Sequence, residues 1–177
     1  MEVVYVVVVL LLALGAGFAV MAPRLRSHRL HERFGAEYAH AVTAHHGNVR
    51  EAEHELADRL TRHRQLKLTP VDAAERDRAL AELRGLQALF VEDPRQAVTR
   101  AEGLLDSLLG TIGYPEQGRE AALSVDHGGR IPAYRAARQT LSTPEADSEE
   151  LRQAMIAVRD LVLALLHHDR TGALAAH

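Results

Sequence analysis

The residues of this sequence best suited to catalysis are an aspartate and a histidine that stand directly before a pair of glycines. Asp126 and His127 directly precede two glycines, and Ser124 lies just before them. A carboxylate beside an imidazole can orient a general base, and the hydroxyl of Ser124 or Tyr114 could act as a nucleophile or donor. The same residues also suit a helix C-terminus, where a histidine meets the last carbonyl groups and glycine ends the helix. No GxSxG motif or second base accompanies the pair, so the helix end is favoured and no catalytic residue is assigned.

Histidine spacing bears on whether the chain holds a metal. The chain has eleven histidines, among them the adjacent pairs His45-His46 and His167-His168. Adjacent side chains on a helix point about 100° apart, so neither pair is well placed to chelate one ion. No HExxH spacing occurs, and the lack of cysteine removes thiolate ligands. We therefore expect no metal site.

Charge patterns narrow the ligands further. Tyr134 lies beside Arg135 and Arg138, a short basic cluster that could hold an anion. Neither GxxxxGK[ST] nor GxGxxG occurs, so no phosphate loop is indicated. The net charge is -3, and acidic and basic residues are interspersed along most of the chain, which argues against a nucleic-acid-binding stripe. We expect no cofactor and no nucleic-acid partner.

The elements that must position these side chains are predicted to be α-helices, which makes the fold all-α. Polar caps recur before apolar stripes of helical period, and no alternating strand pattern appears after the N-terminal run. The predicted start signals are Asn48 with Glu51, Asp72 with Glu75, Asp93 with Pro94, and Asp147 with Ser148 and Glu150. The helix after Pro94 has the widest stripe and should be central, and a shorter helix is predicted from Glu116 to about Val125. A bundle-like helical domain is predicted over residues 48–168, with a flexible tail at residues 169–177.

The N-terminus is a long apolar run whose role decides the compartment. The run from Val3 through Leu12 and Gly17 to Ala22 contains no charged side chain. A helix of that length spans about 30 Å, the thickness of the hydrocarbon core of a bilayer. An export signal would have a basic start and a shorter apolar region, whereas this chain begins with Met-Glu. We predict a retained single-pass transmembrane anchor at residues 1–22, with a cleaved, secreted form as the alternative.

The residues after the apolar run are basic. Arg24, Arg26, Arg29 and Arg33 follow it within a short distance. Positive residues beside a span stay cytoplasmic, which predicts a cell-membrane protein with a cytoplasmic C-terminal domain. Residues 23–47 are predicted to be a basic juxtamembrane helical segment. Its arginines are interpreted mainly as a topology signal, and they could also meet anionic lipid headgroups.

Five short stretches occur along the chain in this order: RFGAEYAHAV, LFVEDPRQAV, GYPEQ, AALSVDH and SEELRQAM. Together they resemble an uncharacterised actinobacterial family described only as membrane or secreted proteins. The motifs that carry the resemblance are RFGxEY, FVEDP, GYP, SVDH and ELRQAM, and the resemblance covers the chain from about Arg33 to Leu166. The resemblance implies an N-terminal apolar segment joined to a helical domain. It implies no particular reaction, cofactor or catalytic residue.

An anchor joined to a helical domain without a recognisable catalytic set favours a membrane-anchored protein-interaction or scaffold module. The expected partners are the membrane and either another protein or a second copy of this chain, since Ala13 and Gly17 have a spacing that permits close helix approach. Two alternatives stay open. One is an exported helical protein. The other is a ligand-binding or enzymatic domain in which Asp126, His127 and Tyr114 line a pocket.

Overall fold

Helices form the regular structure of the described chain. The computed structural model describes the backbone of residues 27–174 and the side chains of residues 27–167. No strand occurs in this range, so the predicted all-α class is confirmed. The elements are α1 (residues 27–34), α2 (Ala36–Ala44), α3 (Val49–His63), α4 (Ala73–Glu92), α5 (Pro94–Ile112), α6 (Arg119–His127), a 3-10 turn (Gly128–Arg130), α7 (Ile131–Ser142) and α8 (Ser148–Leu174).

The predicted helix starts are confirmed by their caps. The carboxylate of Asp93 accepts the backbone N–H of Gln96 at 2.9 Å, and Pro94 occupies the first turn, where its missing N–H costs nothing. Asp147 accepts the N–H groups of Glu149 and Glu150, each at 2.8 Å, while its own N–H donates to the Glu150 carboxylate at 2.9 Å. Helices α3 and α4 begin in the same way, with Asn48 and Asp72 as the caps.

The chain divides into two compact units at Ala57, and α5 is the centre of the second unit. This helix packs against α4, α7 and α8, and α7 also packs against α8. Its buried residues are Ala97, Val98, Ala101, Leu104, Leu105, Leu108, Leu109 and Ile112. Each leucine buried in this way stabilises the fold by about 1.5–3 kcal/mol relative to an exposed one. The wide stripe after Pro94 is therefore the core of the bundle, as predicted.

A left-handed glycine ends α5 and places the residues that follow it. Gly113 has φ 101°, and the N–H groups of Gly113 and Tyr114 both donate to the carbonyl of Leu109, at 3.1 and 2.9 Å. Such a cap satisfies carbonyl groups that the helix end would leave without donors. The segment that precedes α4 passes close by, because the N–H of Thr69 donates to the carbonyl of Ile112 at 2.8 Å.

Helix α6 differs from its predicted bounds. It begins at Arg119 rather than near Glu116, because Gly118 takes a left-handed conformation with φ 70° and interrupts the chain there. It ends at His127, as the helix-end interpretation expected. The glycines that follow do not form an open loop, since Gly128 begins a 3-10 turn that leads directly into α7.

The described part of the first unit consists of α1, α2 and the start of α3. Phe34 is fully buried in it, and the Tyr38 hydroxyl donates to the Glu53 carboxylate at 2.8 Å. His45 brings its two ring nitrogens to acids of α3, with Nε2 2.7 Å from Glu55 and Nδ1 3.6 Å from Glu51. His45, one member of the adjacent pair His45-His46, therefore connects the end of α2 to α3.

The predicted anchor at residues 1–22, together with Arg24 and Arg26, lies outside the described residues. Arg29 and Arg33 belong to α1 and are exposed, and the predicted juxtamembrane segment is largely helical from residue 27 onward. Among residues 27–174, no helix combines the length and the apolar character needed to cross a bilayer. Helix α8 continues to Leu174, beyond the predicted start of the tail, and the flexibility of that tail stays a prediction.

Candidate functional site

Three side chains that are distant in sequence meet between α3, α6 and the end of α5. Nε2 of His63 lies 2.8 Å from Oδ2 of Asp126, and the hydroxyl of Tyr114 donates to the same oxygen at 3.4 Å. The side chains of His63 and Asp126 are only 13% and 11% exposed. The histidine and tyrosine rings lie with their centroids 6.3 Å apart. We call His63, Asp126 and Tyr114 the polar cluster.

Local structure explains why these residues meet. His63 is the last residue of α3, and Asp126 lies in the last turn of α6. Tyr114 directly follows the left-handed Gly113, so the turn at the end of α5 directs the chain toward the cluster. The contact between His63 and Asp126 has the distance of an ion pair, although the ring is not aligned for a hydrogen bond. The cluster therefore joins the end of α3 to the last turn of α6 through His63 and Asp126, and to the end of α5 through the rings of His63 and Tyr114.

A cavity of about 150 Å³ opens beside the polar cluster. Its walls are mainly apolar and come from Leu66, Pro115, Ala121 and Ala122. Arg59, Arg62 and His63 supply its basic groups, while Gln117 and Gly118 complete its lining. Asp126 and Tyr114 do not line this cavity; they contact His63, which does. His63 is thus the member of the polar cluster that lines the cavity, and Asp126 and Tyr114 contact it from outside the lining.

The two arginines of the cavity differ in what they contact. Arg59 donates from Nη1 to the hydroxyl of Ser124 at 3.2 Å. The guanidinium of Arg62 is exposed, and no carboxylate among the described side chains lies within ion-pair distance of it. The cavity therefore combines an apolar interior with a solvated cation that is available to a ligand.

Ser124 is not arranged as a nucleophile. It is fully buried, and its hydroxyl donates to the carbonyl of Ala121 at 2.7 Å while it accepts from Arg59. Because the hydroxyl proton is donated to a carbonyl group of the same helix, it is not directed toward a base that could remove it. The serine weighed from sequence as a nucleophile thus serves to position Arg59.

The structure separates the two members of the Asp126-His127 pair. Asp126 takes His63 as its partner, whereas His127 is buried and does not line the cavity. The predicted set of Asp126, His127 and Tyr114 is therefore brought together only in part. Adjacent residues on a helix point in different directions, which is the physical reason for the separation.

Tyr134 lies elsewhere, on α7, and is almost fully buried. Burial raises the pKa of its phenol to about 12, and the carboxylate of Glu102 adds to the effect. The neighbouring Arg135 donates from Nε to Glu120 at 2.7 Å, and Arg138 lies 3.2 Å from Glu102. Both arginines thus have carboxylate partners, which weakens the interpretation of this cluster as an anion site.

The described part of the chain contains no group of side chains arranged to bind a metal ion. Within it, no three His, Asp or Glu side chains converge on one point. His45 is held between two glutamates of α3, and the polar cluster offers one histidine and one carboxylate.

His63 and Arg62 are the residues that the sequence interpretation missed as parts of a site. His63 continues the buried side of α3 that Ala52 and Leu56 begin, and a histidine in an apolar stripe is itself a signal that a polar partner lies opposite. Its partner Asp126 is far away in sequence, so the pair could not be derived from spacing. Comparison with protein-family models, with curated proteins and with solved structures finds no match for this chain.

Proposed function

We propose that this chain is a membrane-anchored helical domain that binds a small ligand in the cavity beside His63. The observation that carries the proposal is the position of the polar cluster, nearly buried and directly beside a cavity of about 150 Å³. Buried polar groups are held in place at a cost, and they are often found where a ligand must be oriented. An apolar cavity with a few polar groups at its edge is the usual form of a small-molecule site.

Binding fits the arrangement better than catalysis. His63 and Asp126 would make a base and its orienting carboxylate, but Ser124 is occupied by its own helix. Tyr114 contacts Asp126 and does not line the cavity. A nucleophile within reach of the base is therefore missing among the lining side chains. The role we assign to His63 is to hold one wall of the cavity and to offer a polar atom to the ligand.

Attachment to the membrane is the second part of the proposal. It is supported by the uncharged run at residues 3–22 and by the arginines that follow it. Protease treatment of intact cells should leave a C-terminal tag intact, and lysis should expose it. Digestion of the tag in intact cells would overturn the cytoplasmic orientation. Alkaline carbonate washing that releases the chain from membranes would overturn the anchor itself.

The ligand-binding part is tested by a thermal-unfolding screen of the full chain in detergent micelles against small soluble compounds. A ligand present at about a hundred times its Kd stabilises the folded state by about 2.7 kcal/mol. The variant Ala122→Leu should fill the cavity and abolish the stabilisation. Ala136→Leu is the matched control, because Ala136 is exposed on α7 and does not line the cavity. Compounds that stabilise both variants alike, or a screen without any stabilising compound, would contradict the proposal.

A protein-interaction module is the second candidate, and a groove along α4 and α8 favours it. The groove measures about 540 Å³ and is lined by Leu80, Leu83 and Leu163 together with the polar residues Asp77, Arg84, Gln87 and Arg159. Arg84 has no carboxylate within ion-pair distance among the described residues. The fitting occupant is an amphipathic helix of another protein that carries leucine-like side chains and one acid for Arg84.

A photo-crosslinker at Gln87 tests this second candidate in native membranes. Gln87 lines the groove, and Gln139 on α7 is an exposed control outside it. A discrete adduct from position 87 alone would support a docked helix. The same adducts from both positions, or adducts from neither, would remove the groove as a docking site.

A further inference from the structure

We infer that the ligand of the His63 cavity is a small monocarboxylic acid, with its apolar body inside the cavity and its carboxylate paired with Arg62. The inference rests on the proposed ligand-binding function and adds the chemical class of the ligand. It depends on three features of the described residues: the size of the cavity, the sign of the charge around it and the position of the free cation.

The size of the cavity limits the apolar body of the ligand. A cavity of about 150 Å³ lined by aliphatic side chains is large enough for a benzene ring. Leu66, Pro115, Ala121 and Ala122 provide such a lining here. A branched aliphatic chain of similar volume fits equally, whereas a nucleotide or a sugar is too large and too polar. The body is therefore about six heavy atoms and apolar.

The charge around the cavity favours an anion. The lining includes Arg59, Arg62 and His63 and no acidic side chain. Asp126 lies outside this lining, with its carboxylate 2.8 Å from Nε2 of His63. Two arginines line this cavity, so charge repulsion disfavours an amine ligand.

The start of α6 adds to this field. Gly118 precedes the helix and lines the cavity, so the first N–H groups of α6 lie at its edge. Glycine offers no side-chain acceptor, and no side chain caps this helix. The N-terminal end of a helix carries a partial positive charge that attracts carboxylates. The cavity and the arginines carry the inference, and the helix end strengthens it.

Arg62 is the group best placed to bind the carboxylate. It is exposed, it lines the cavity, and it has no carboxylate partner among the described side chains. A guanidinium can form two parallel hydrogen bonds to one carboxylate, which fixes both the charge and the orientation of the ligand. Arg59 is already engaged with Ser124 and serves as a second positive charge behind it.

The experiment compares three probes that share a ring and differ in charge: benzoate, benzyl alcohol and benzylammonium. Each is titrated into the full chain in detergent micelles, and the methyl NMR signals of Leu66, Ala121 and Ala122 are followed. Benzoate should shift these signals with at least a tenfold lower Kd than benzyl alcohol, and benzylammonium should leave them unchanged.

Matched arginine variants identify the partner of the carboxylate. Arg62→Gln should raise the Kd for benzoate about tenfold, which corresponds to one charge-assisted hydrogen-bonded pair. Arg64→Gln is the control, because Arg64 is exposed two residues further on and does not line the cavity. The control should leave the Kd unchanged.

Each of the other outcomes overturns the inference. Equal affinity for benzoate and benzyl alcohol would remove the carboxylate and leave the cavity as a site for neutral ligands. An unchanged Kd in Arg62→Gln would remove Arg62 as the partner. If none of the three probes shifts the methyl signals, the ligand class is wrong, and the compound screen with Ala122→Leu decides separately whether the cavity binds any ligand.

Discussion

The imidazole of His63 and the carboxylate of Asp126 lie 2.8 Å apart and join the end of α3 to the last turn of α6. Both side chains are nearly buried, so each depends on the other to offset the cost of leaving water. The helices they join also form walls of the cavity, because Arg62 and His63 come from α3 and Ala121 and Ala122 from α6. The contact therefore contributes to stability and sets the shape of the candidate site.

Removal of the carboxylate tests this contact. Asp126→Ala leaves a nearly buried imidazole without its partner and should lower the free energy of unfolding by about 1–3 kcal/mol. His63→Ala should cost a similar amount, and the double variant should cost less than the sum, with a coupling of about 1 kcal/mol or more. Urea unfolding of the four chains, followed by circular dichroism, measures the cycle.

The exposed pair of Arg119 and Asp106 provides the control for that cycle. Its atoms also lie 2.8 Å apart, but the side chain of Asp106 is 52% exposed. An exposed ion pair contributes about 0–1 kcal/mol, so Asp106→Ala should have a small effect. Strict additivity of the His63 and Asp126 variants would show that the contact carries no energy of its own.

Tyr134 should make the stability of the domain depend on alkaline pH. Its pKa is raised from 10.0 to about 12 because burial and the carboxylate of Glu102 disfavour the phenolate. The stabilisation is fully present below pH 10 and is lost as pH rises toward 12, since the unfolded chain ionises first. A shift of this size corresponds to about 2–3 kcal/mol at most.

The variant Tyr134→Phe isolates this effect, because phenylalanine keeps the ring and cannot ionise. The difference in unfolding free energy between the two chains should be constant below pH 10 and should shift against the tyrosine chain between pH 10 and 12. Isothermal urea unfolding at a series of pH values measures it. A difference that stays constant up to pH 12 would contradict the burial of the phenol.

Gly113 should resist substitution for two separate reasons. Its φ of 101° is strained for any residue with a Cβ atom, and a Cβ there would lie 2.8 Å from the carbonyl oxygen of Lys67. Gly113→Ala should therefore cost more than the roughly 1 kcal/mol of backbone strain alone, with an expected total of about 2–4 kcal/mol. Thermal unfolding of the full chain measures the loss.

A variant at Gly118 separates the cost of the left-handed backbone from the cost of the steric contact. Its φ is 70°, and a Cβ added to it would meet no atom within 4 Å. Gly118→Ala should thus report the backbone strain alone, about 1 kcal/mol. Equal losses in the two variants would mean that the segment at Lys67 moves aside without cost.

Local signals in the sequence were sufficient to predict the helices. Asp93 before Pro94 and Asp147 before Glu150 form caps whose partners lie three residues away, so the pattern contains both members. The apolar stripe after Pro94 likewise predicted the central helix, because a buried helix needs apolar residues on most of its circumference. Even so, the start of α6 was misplaced, since the left-handed conformation of Gly118 is not evident from a single glycine.

The candidate site was only partly predictable. Asp126 and Tyr114 were singled out, but the partner that joins them, His63, comes from a helix far away in the chain. Pairing of that kind depends on tertiary packing, which a single sequence does not encode in any fixed spacing. The absence of a carboxylate partner for Arg62 is equally hidden in the sequence, because Asp58 lies four residues earlier, at the spacing of an ordinary ion pair along a helix.

Arg95 at the start of α5 should be the arginine whose loss most weakens the bundle. Its guanidinium donates to the carbonyl oxygens of Leu141, Thr143 and Pro144, at 3.2, 2.7 and 3.0 Å. These carbonyl groups lie at the end of α7 and just beyond it, where the helix supplies no donors. Arg95→Ala should lower the free energy of unfolding by about 2 kcal/mol, the value of a hydrogen-bonded charged group.

Two further variants separate the contribution of the three hydrogen bonds of Arg95 from that of its positive charge. Arg95→Lys keeps the charge but not the planar set of donors, so it should recover less than half of the loss. Arg100→Ala removes an exposed arginine of the same helix and should change stability by no more than about 0.5 kcal/mol. Urea unfolding ranks the three variants, and hydrogen exchange of the last amides of α7 should quicken only in the Arg95 variants. A lysine variant as stable as the parent chain would show that charge, and not the three-way donation, holds the end of α7.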